Sequence, residues 1–131
     1  MAPIPLTIKD RRMRMDEIKI EVANLMAKNQ LDALVYPHQK CLVLPIGANL
    51  QKNRNSIIAP LAGFPAIEVP AGFSTPTKDA PLGVPVGMEL LGRAWAEPEL
   101  IKLAFGFEQA THLRKPPVST PALQTHQSAK R

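Results

Sequence analysis

Glu68 and Glu89 are the two residues of this sequence whose type and setting most favour acid–base chemistry. Each occupies the less apolar face of a segment that alternates like a β-strand, in "AIEVPAGF" and "VPVGMELLG" respectively. Two carboxylates held close together in a sheet raise the pKa of one of them, which can then exchange protons with a substrate. The alternative is that both are ordinary polar positions of a sheet, and this plainer interpretation is the one we favour.

Two other pairs have spacings that occur in reactive sites. Lys52 and Ser56 are four residues apart, so a helix would bring them together, but the intervening "NRN" is poor helix sequence. His38 and Cys41 have the spacing of metal ligands, but a zinc site needs three or four of them. We therefore predict no metal and no cofactor. We expect Cys41, which precedes two apolar residues, to be a small buried hydrophobic residue.

Composition narrows the class of protein. The 131 residues have the length of one ordinary domain, and no apolar run approaches the roughly 18 residues of a membrane span. The opening "MAPIPLTIKDRRMRM" lacks the pattern of a secretory signal, and a single cysteine fits a reducing compartment. The net charge of +5 does not indicate nucleic-acid binding, because acidic residues interleave with the basic cluster at 9–14. We expect a cytoplasmic protein that binds neither nucleic acid nor membrane.

A small set of elements must position these residues. Apolar residues at helical spacing predict a first helix over 9–29 and a last helix from Glu97, with Pro98 in its first turn, to His112. Alternating or short apolar segments predict strands within 31–37, 61–73 and 84–93, with a further candidate at 41–45. The polar stretches 46–56 and 74–83 predict loops. The pattern indicates an α/β chain, a piece of sheet flanked by helices.

Two features of these elements need an explanation. Pro65 and Pro70 surround a well-patterned strand, although proline cannot donate to a sheet ladder and is normally excluded from central strands. Gly106 lies in the middle of the last helix, where glycine is less favourable than alanine by about 1 kcal/mol. We therefore expect another element to pack closely against Gly106.

Three stretches in this order and spacing resemble the C-terminal part of an amidase signature hydrolase: "NSIIAPLAGFPAIEVPAGF", "LGVPVGMELLGRAWAEPELIKLAFGFEQATH" and "RKPPVSTP". The resemblance runs from Met15 to Pro121 and is closest to amidases of microbial, or more narrowly fungal, type. It implies that the chain forms part of a mixed β-sheet flanked by helices. We expect a flexible N-terminus (1–8), an amidase-like segment (9–117) and, because Pro116 and Pro117 stop the last helix from continuing, a disordered tail (118–131).

The resemblance also suggests which residues approach a substrate. The strand within 61–73 is similar to one that begins beside the substrate pocket, so Pro65 would stiffen its entry, and Pro70 would end its pairing early. Asn53 and Arg54 are then expected to face a polar group of the substrate. Gly63 and Phe64 are expected to form an apolar wall.

The catalytic centre of such enzymes is not in this chain. They hydrolyse amides through a serine nucleophile, a second serine and a lysine in a glycine- and serine-rich region upstream of the part resembled here. The serines of this sequence are isolated, at positions 56, 74, 119 and 128. We therefore expect no catalytic residue here, no activity of the chain alone, and a small-molecule amide as substrate only of the complete enzyme.

Three interpretations of function follow from the resemblance. The one we favour is a C-terminal fragment of an amide hydrolase. The alternatives are a non-catalytic binding module derived from an amidase, and one half of a split enzyme. Strands taken out of a larger sheet leave unpaired edges. The expected partner is therefore the missing N-terminal amidase segment, or a second copy through exposed sheet edges.

Overall fold

The computed structural model describes residues 7–48, 55–117 and 120. The elements in these ranges are α1 (Ile8–Lys28), β1 (Ala33–Pro37), α2 (Ile58–Ala62), β2 (Ala66–Phe73), β3 (Pro85–Gly92) and α3 (Glu97–Thr111). Of the predicted flexible N-terminus, only Thr7 and Ile8 are described, and of the predicted tail only residue 120. No helix in the described part is long and apolar enough to cross a membrane.

The sheet places β3 between β1 and β2, and both pairings are antiparallel. Consecutive residues of β3 point to opposite faces. Leu91 packs with Phe64 and with residues of α1 and α2, whereas Leu90 packs with Leu100 and Ala104 of α3. One face of the sheet is therefore covered by α1 and α2 and the other by α3, which confirms the predicted α/β arrangement.

The first helix is confirmed to within one residue at each end. Thr7 and Asp10 form a capping box, in which the Thr7 hydroxyl accepts from the Asp10 backbone and the Asp10 carboxylate accepts from the Thr7 backbone. The hydrogen bonds from Thr7 lower the pKa of Asp10. Met26 is the buried residue of α1, and the helix from Ile8 to Glu17 is almost entirely exposed.

A guanidinium ties the end of α1 to the sheet. Arg93, which follows β3, donates to the backbone carbonyl of Leu31 at 2.9 Å and to that of Met26 at 3.4 Å. Leu31 lies just beyond the end of α1, and Met26 lies in its last turn. Carbonyls at this end of a helix lack partners within the helix. Arg93 therefore connects two segments that are more than sixty residues apart in sequence.

The prolines of β2 are explained by its place in the sheet. Among the described residues, β2 pairs only with β3, so Pro70 lies on an edge strand, where its missing N–H is tolerated. Pro70 pairs with Gly87 and Gly72 pairs with Val86, so Ala71 is the extra residue of a β-bulge. The prediction that pairing ends early is wrong, because the ladder resumes after the bulge and continues through Phe73.

The bulge also changes the face on which Phe73 lies. Paired residues project to the same side of a sheet, and Phe73 pairs with Pro85 while Glu68 pairs with Glu89. Pro85 and Glu89 are an even number of positions apart on β3, so they share a face. Phe73 therefore lies on the face of Glu68 and not, as strict alternation would predict, on that of Val69.

Two expectations about the stretch after β1 are wrong. Residues 41–45 form no strand, and Leu42, Val43 and Leu44 are exposed, so this apolar segment does not gain the packing that favours a strand. Cys41 is exposed instead of buried, and so are Leu42 and Val43. Residues 46–48 are not in regular structure, as predicted, whereas 49–54 lie outside the described residues.

The helices after this stretch are α2 and α3. The five-residue α2 was not predicted, because it is too short for a helical pattern, and it ends at Gly63 with a left-handed φ of 67°. The last helix is confirmed, and it ends at His112 with a φ of 48°. The expectation about Gly106 is wrong for the part of the chain that the structure describes, because a Cβ there would meet no atom within 4 Å. Gly106 lies on the side of α3 that faces away from the sheet.

Candidate functional site

The carboxylate of Glu89 is the centre of the most connected group of polar side chains in the described part of the chain. Glu89 lies on β3 opposite Tyr36 of β1 and is only 5% exposed. The hydroxyl of Tyr36 donates to Glu89 Oε1 over 2.6 Å. Burial of the phenol, followed by its hydrogen bond to Glu89, raises the pKa of Tyr36. The phenol therefore remains a neutral donor to the carboxylate.

His38 supplies the second donor. Its Nδ1 lies 2.8 Å from Glu89 Oε2, and because a carboxylate only accepts, Nδ1 carries the proton. This bond fixes the ring and leaves Nε2 as the nitrogen that can exchange a proton. A carboxylate that orients an imidazole in this way is a common arrangement for general acid–base chemistry. His38 is 30% exposed, so solvent can reach the ring.

Glu68 completes the group. Glu68 and Glu89 pair directly across β2 and β3, which confirms that they are neighbours. Glu68 Oε2 lies 3.7 Å from His38 Nδ1, and its side chain is 47% exposed. The other oxygen, Oε1, lies over Gly87, in the space that a Cβ on that residue would occupy. Glycine at position 87 therefore allows the Glu68 carboxylate to lie against the sheet.

Two cavities meet at Glu68. The larger has a volume of about 850 Å³ and lies between residues 113–117 and the adjoining ends of β2 and β3, where the hairpin turns. The smaller, of about 370 Å³, is lined by the segment from His38 to Val43. In the Tyr36–Glu89–His38–Glu68 group, which we call the carboxylate–histidine group, Glu68 and His38 therefore line accessible cavities, whereas Glu89 is buried behind them.

The sequence indicated only part of this group. Alternation along the two strands predicted Glu68 and Glu89 as a possible pair. The spacing of His38 and Cys41 suggested only a pair of metal ligands, and no role was predicted for Tyr36. Tyr36 and His38 are two residues apart at the end of a strand, a spacing that places both on one side, and this was the available signal. No group of three or more metal-binding side chains occurs in ranges 7–48 and 55–117.

The predicted substrate-lining residues lie elsewhere. Gly63 and Phe64 follow α2, and Phe64 is only 8% exposed because it packs against Leu91 and the alanines of α2. Neither lines the two cavities described above. Asn53 and Arg54 lie outside the described residues. The substrate-lining roles of these four residues remain predictions.

Comparison with known proteins identifies the source of this fold. A family model described as Amidase matches residues 5–101. A probable amidase of Arabidopsis thaliana is 36% identical over 92 residues, which are 70% of this chain and 16% of that protein. One chain of the glutamyl-tRNA(Gln) amidotransferase of Moorella thermoacetica is 45% identical over 58 residues, 43% of this chain and 10% of that one.

Solved structures agree with the sequence matches. The peptide amidase of Stenotrophomonas maltophilia has a TM-score of 0.70 and 34% identity, over 84% of this chain and 21% of that one. A peptide amidase in complex with the competitive inhibitor chymostatin has a TM-score of 0.72 and 33% identity, over 89% and 23% of the two chains. The chain spans less than a quarter of the length of these relatives. It belongs to the amidase family.

Proposed function

We propose that this chain is the C-terminal part of an amide hydrolase whose serine–serine–lysine centre is carried by residues outside these 131. The observation that supports this most is that 84% of the chain matches a peptide amidase of which it covers only 21%. In this proposal the chain supplies strands and helices to a larger fold, and the chain alone does not hydrolyse amides.

Exposed apolar side chains favour this proposal over a self-sufficient binding module. On α3, Ile101 and Phe105 are neighbours on one flank and are 61% and 63% exposed. On α1, Met13 and Ile20 are seven residues apart on one face and are 53% and 59% exposed. Apolar side chains that cluster on one flank of a helix usually mark a contact surface. We propose that the N-terminal part of the enzyme covers these helices, and that self-association takes its place when it is missing.

The remaining expectations form part of the same proposal. We propose that the amidase-like segment ends near Pro117, supported by the Lys115 ammonium, which lies 5.8 Å from the centre of the Phe73 ring and so holds the chain against β2. Cytoplasmic placement is supported by the single cysteine. Asn53, Arg54 and the Gly63–Phe64 turn would approach a small amide in the complete enzyme.

Two measurements on the native protein test this proposal. An antibody raised against residues 118–131 would detect the polypeptide in its source cells, and the precipitated protein would be assayed for ammonia release from a peptide carboxamide. We expect a polypeptide several times heavier than 14.3 kDa that releases ammonia, and no release by the 131-residue chain alone. Hydrolysis by the chain alone would refute the proposal.

The same experiment separates the alternatives. A native chain of 14.3 kDa that precipitates together with a second polypeptide, and releases ammonia only with it, would support a split enzyme. A native chain of that size without partner or activity would support a binding module.

A further inference from the structure

The larger cavity is a groove at the turn end of the β2–β3 hairpin, lined by residues from both faces of the sheet. Its floor and walls are mostly apolar, and its lining includes Val69, Phe73, Leu82, Val86, Leu113 and Pro116. Its volume of about 850 Å³ lies within the range of roughly 300–1,000 Å³ that is typical of small-molecule sites. Such sites combine apolar walls with a few charged or polar groups that fix the orientation of the ligand.

A carboxylate marks one end of this groove. The carboxylate of Glu68 accepts no side-chain hydrogen bond from another described residue, because the imidazole of His38 gives its hydrogen bond to Glu89 and lies 3.7 Å from Glu68. The Glu68 carboxylate is held over Gly87 and is 47% exposed, so its oxygens can accept hydrogen bonds from a ligand.

Cationic side chains mark the other end. Arg114 and Lys115 belong to the segment that closes the groove, and the Lys115 ammonium lies over the ring of Phe73. Because of the bulge at Ala71, Phe73 is on the same face of the sheet as Glu68. The negative and positive ends of the groove are therefore aligned along one face of β2.

The distance between the two ends sets the size of the ligand. The Glu68 carboxylate lies over Gly87, which pairs with Pro70, and Pro70 precedes Phe73 by three residues. Because Ala71 is bulged, this advance equals two residues of β3, from Gly87 to Pro85, or roughly 7 Å, and the Lys115 ammonium lies 5.8 Å from the centre of the Phe73 ring. An extended peptide spans at most about 3.5 Å per residue, so three residues would reach from one end to the other.

We propose that this groove binds a short apolar peptide of about three residues with both termini free. The terminal ammonium bonds to Glu68, the terminal carboxylate is bound by Lys115 and Arg114, and the side chains contact the apolar walls. This inference concerns binding by the described chain itself and goes beyond the proposed role in amide hydrolysis. It holds or fails whether or not the native protein releases ammonia.

Binding of leucyl-leucyl-phenylalanine to the 131-residue chain, measured by calorimetry, tests the proposal. Its N-acetylated and C-amidated derivatives remove one terminal charge each. We expect the free peptide to bind and each derivative to bind about tenfold more weakly, because each loses one charge-assisted contact. Failure of the free peptide to bind, or equal affinity for all three peptides, would overturn the proposal without need of any variant.

Substitutions then assign each terminus to its end of the groove. Glu68→Gln should weaken binding of the free peptide about tenfold and leave the affinity for the acetylated peptide unchanged, because that contact is already lost. Lys115→Gln should behave in the same way towards the amidated peptide. Glu99→Gln and Lys102→Gln are matched controls, since these residues form an exposed pair on α3, and both should leave the affinity within about twofold of wild type. If the controls weaken binding as much as the groove variants, a non-specific charge effect replaces the proposed site.

A glycine variant provides an independent check that retains the Glu68 charge. In Gly87→Ala, the new methyl group would occupy the place of Glu68 Oε1, and the flexible carboxylate must move away. We expect the same selective loss of affinity for the free peptide as in Glu68→Gln, with an unchanged far-UV circular dichroism spectrum. Full affinity in this variant would contradict the assigned position of the carboxylate.

Discussion

Replacement of Tyr36 by phenylalanine should destabilise the chain by an amount that depends on pH. The hydroxyl donates to the buried carboxylate of Glu89 over 2.6 Å, and its removal leaves that carboxylate with His38 as its donor among the described residues. A hydrogen bond to a charged group contributes about 1.5–3 kcal/mol. We therefore expect Tyr36→Phe to lower the free energy of unfolding by about 2 kcal/mol at neutral pH.

The sign of the pH dependence follows from the raised pKa of Tyr36. An unfolded tyrosine ionises near its ordinary pKa of 10.0, whereas the folded phenol keeps its proton to higher pH. Its contribution to stability is therefore complete below pH 10 and is lost as the pH rises from there towards the folded pKa. Each pH unit in this range removes at most about 1.4 kcal/mol. Because the phenylalanine variant lacks this loss, the difference between the two proteins should shrink above pH 10.

Urea unfolding followed by far-UV circular dichroism measures this difference. Trp95 is 86% exposed, so its fluorescence is a poor probe of unfolding. Tyr36 is the one tyrosine of the sequence, and the absorbance of its phenolate therefore reports its titration without overlap from other tyrosines. An equal stability difference at about pH 7 and about pH 11, or a phenolate that appears near pH 10 in the folded chain, would refute the reasoning.

Three further changes test other parts of the structure. Gly106→Ala should raise the free energy of unfolding by about 1 kcal/mol, since the new methyl group meets no atom, and a loss in thermal melts would contradict this. Thr7→Ala should lower the stability of α1 by about 1 kcal/mol, with Thr7→Ser as control. The helical circular dichroism signal of the wild type should also fall in acid. Because the pKa of Asp10 is lowered in the folded chain, the contribution of its carboxylate to the stability of α1 is complete above pH 3.8 and is lost as the pH falls below it. Gln39→Met should be neutral or stabilising by about 1 kcal/mol, because the buried Gln39 Oε1 has no hydrogen-bond partner within ranges 7–48 and 55–117, and clear destabilisation would show that this oxygen has one.

Periodicity predicted those elements whose apolar residues recur at a regular spacing. For α1, β3 and α3, the predicted and observed ends differ by at most one residue, because capping residues and prolines mark them. The local sequence pattern predicted a strand at residues 41–45 that does not form, and it did not predict the helix at residues 58–62. The first segment is apolar but its leucines and valine are exposed and do not pack into the core, and the second is too short for a helical period to appear.

The candidate site was predictable only where two strands were recognised together. The pairing of Glu68 with Glu89 followed from alternation in both strands, whereas the contact with His38 depends on how the chain leaves β1. The bulge at Ala71 could not be predicted from alternation, although "PAG" is a suitable sequence for one. This single extra residue determines which face Phe73 occupies, and no pattern of period two contains that information.

The strand order has a consequence for how the chain folds. The central strand β3 is the last of the three to be synthesised, so β1 and β2 have no partner in the sheet until residues 85–92 are available. The β2–β3 hairpin closes a short loop, whereas β1 joins only after closure of a loop of nearly fifty residues, which has a larger entropic cost. We expect amides of β2 and β3 to become protected first in pulse-labelled hydrogen exchange, with β1 and α1 later, once Arg93 can reach the carbonyls of Met26 and Leu31. Until then, the ribosome-bound chain exposes β1 as an unpaired apolar segment, and chaperone binding is expected to be concentrated there.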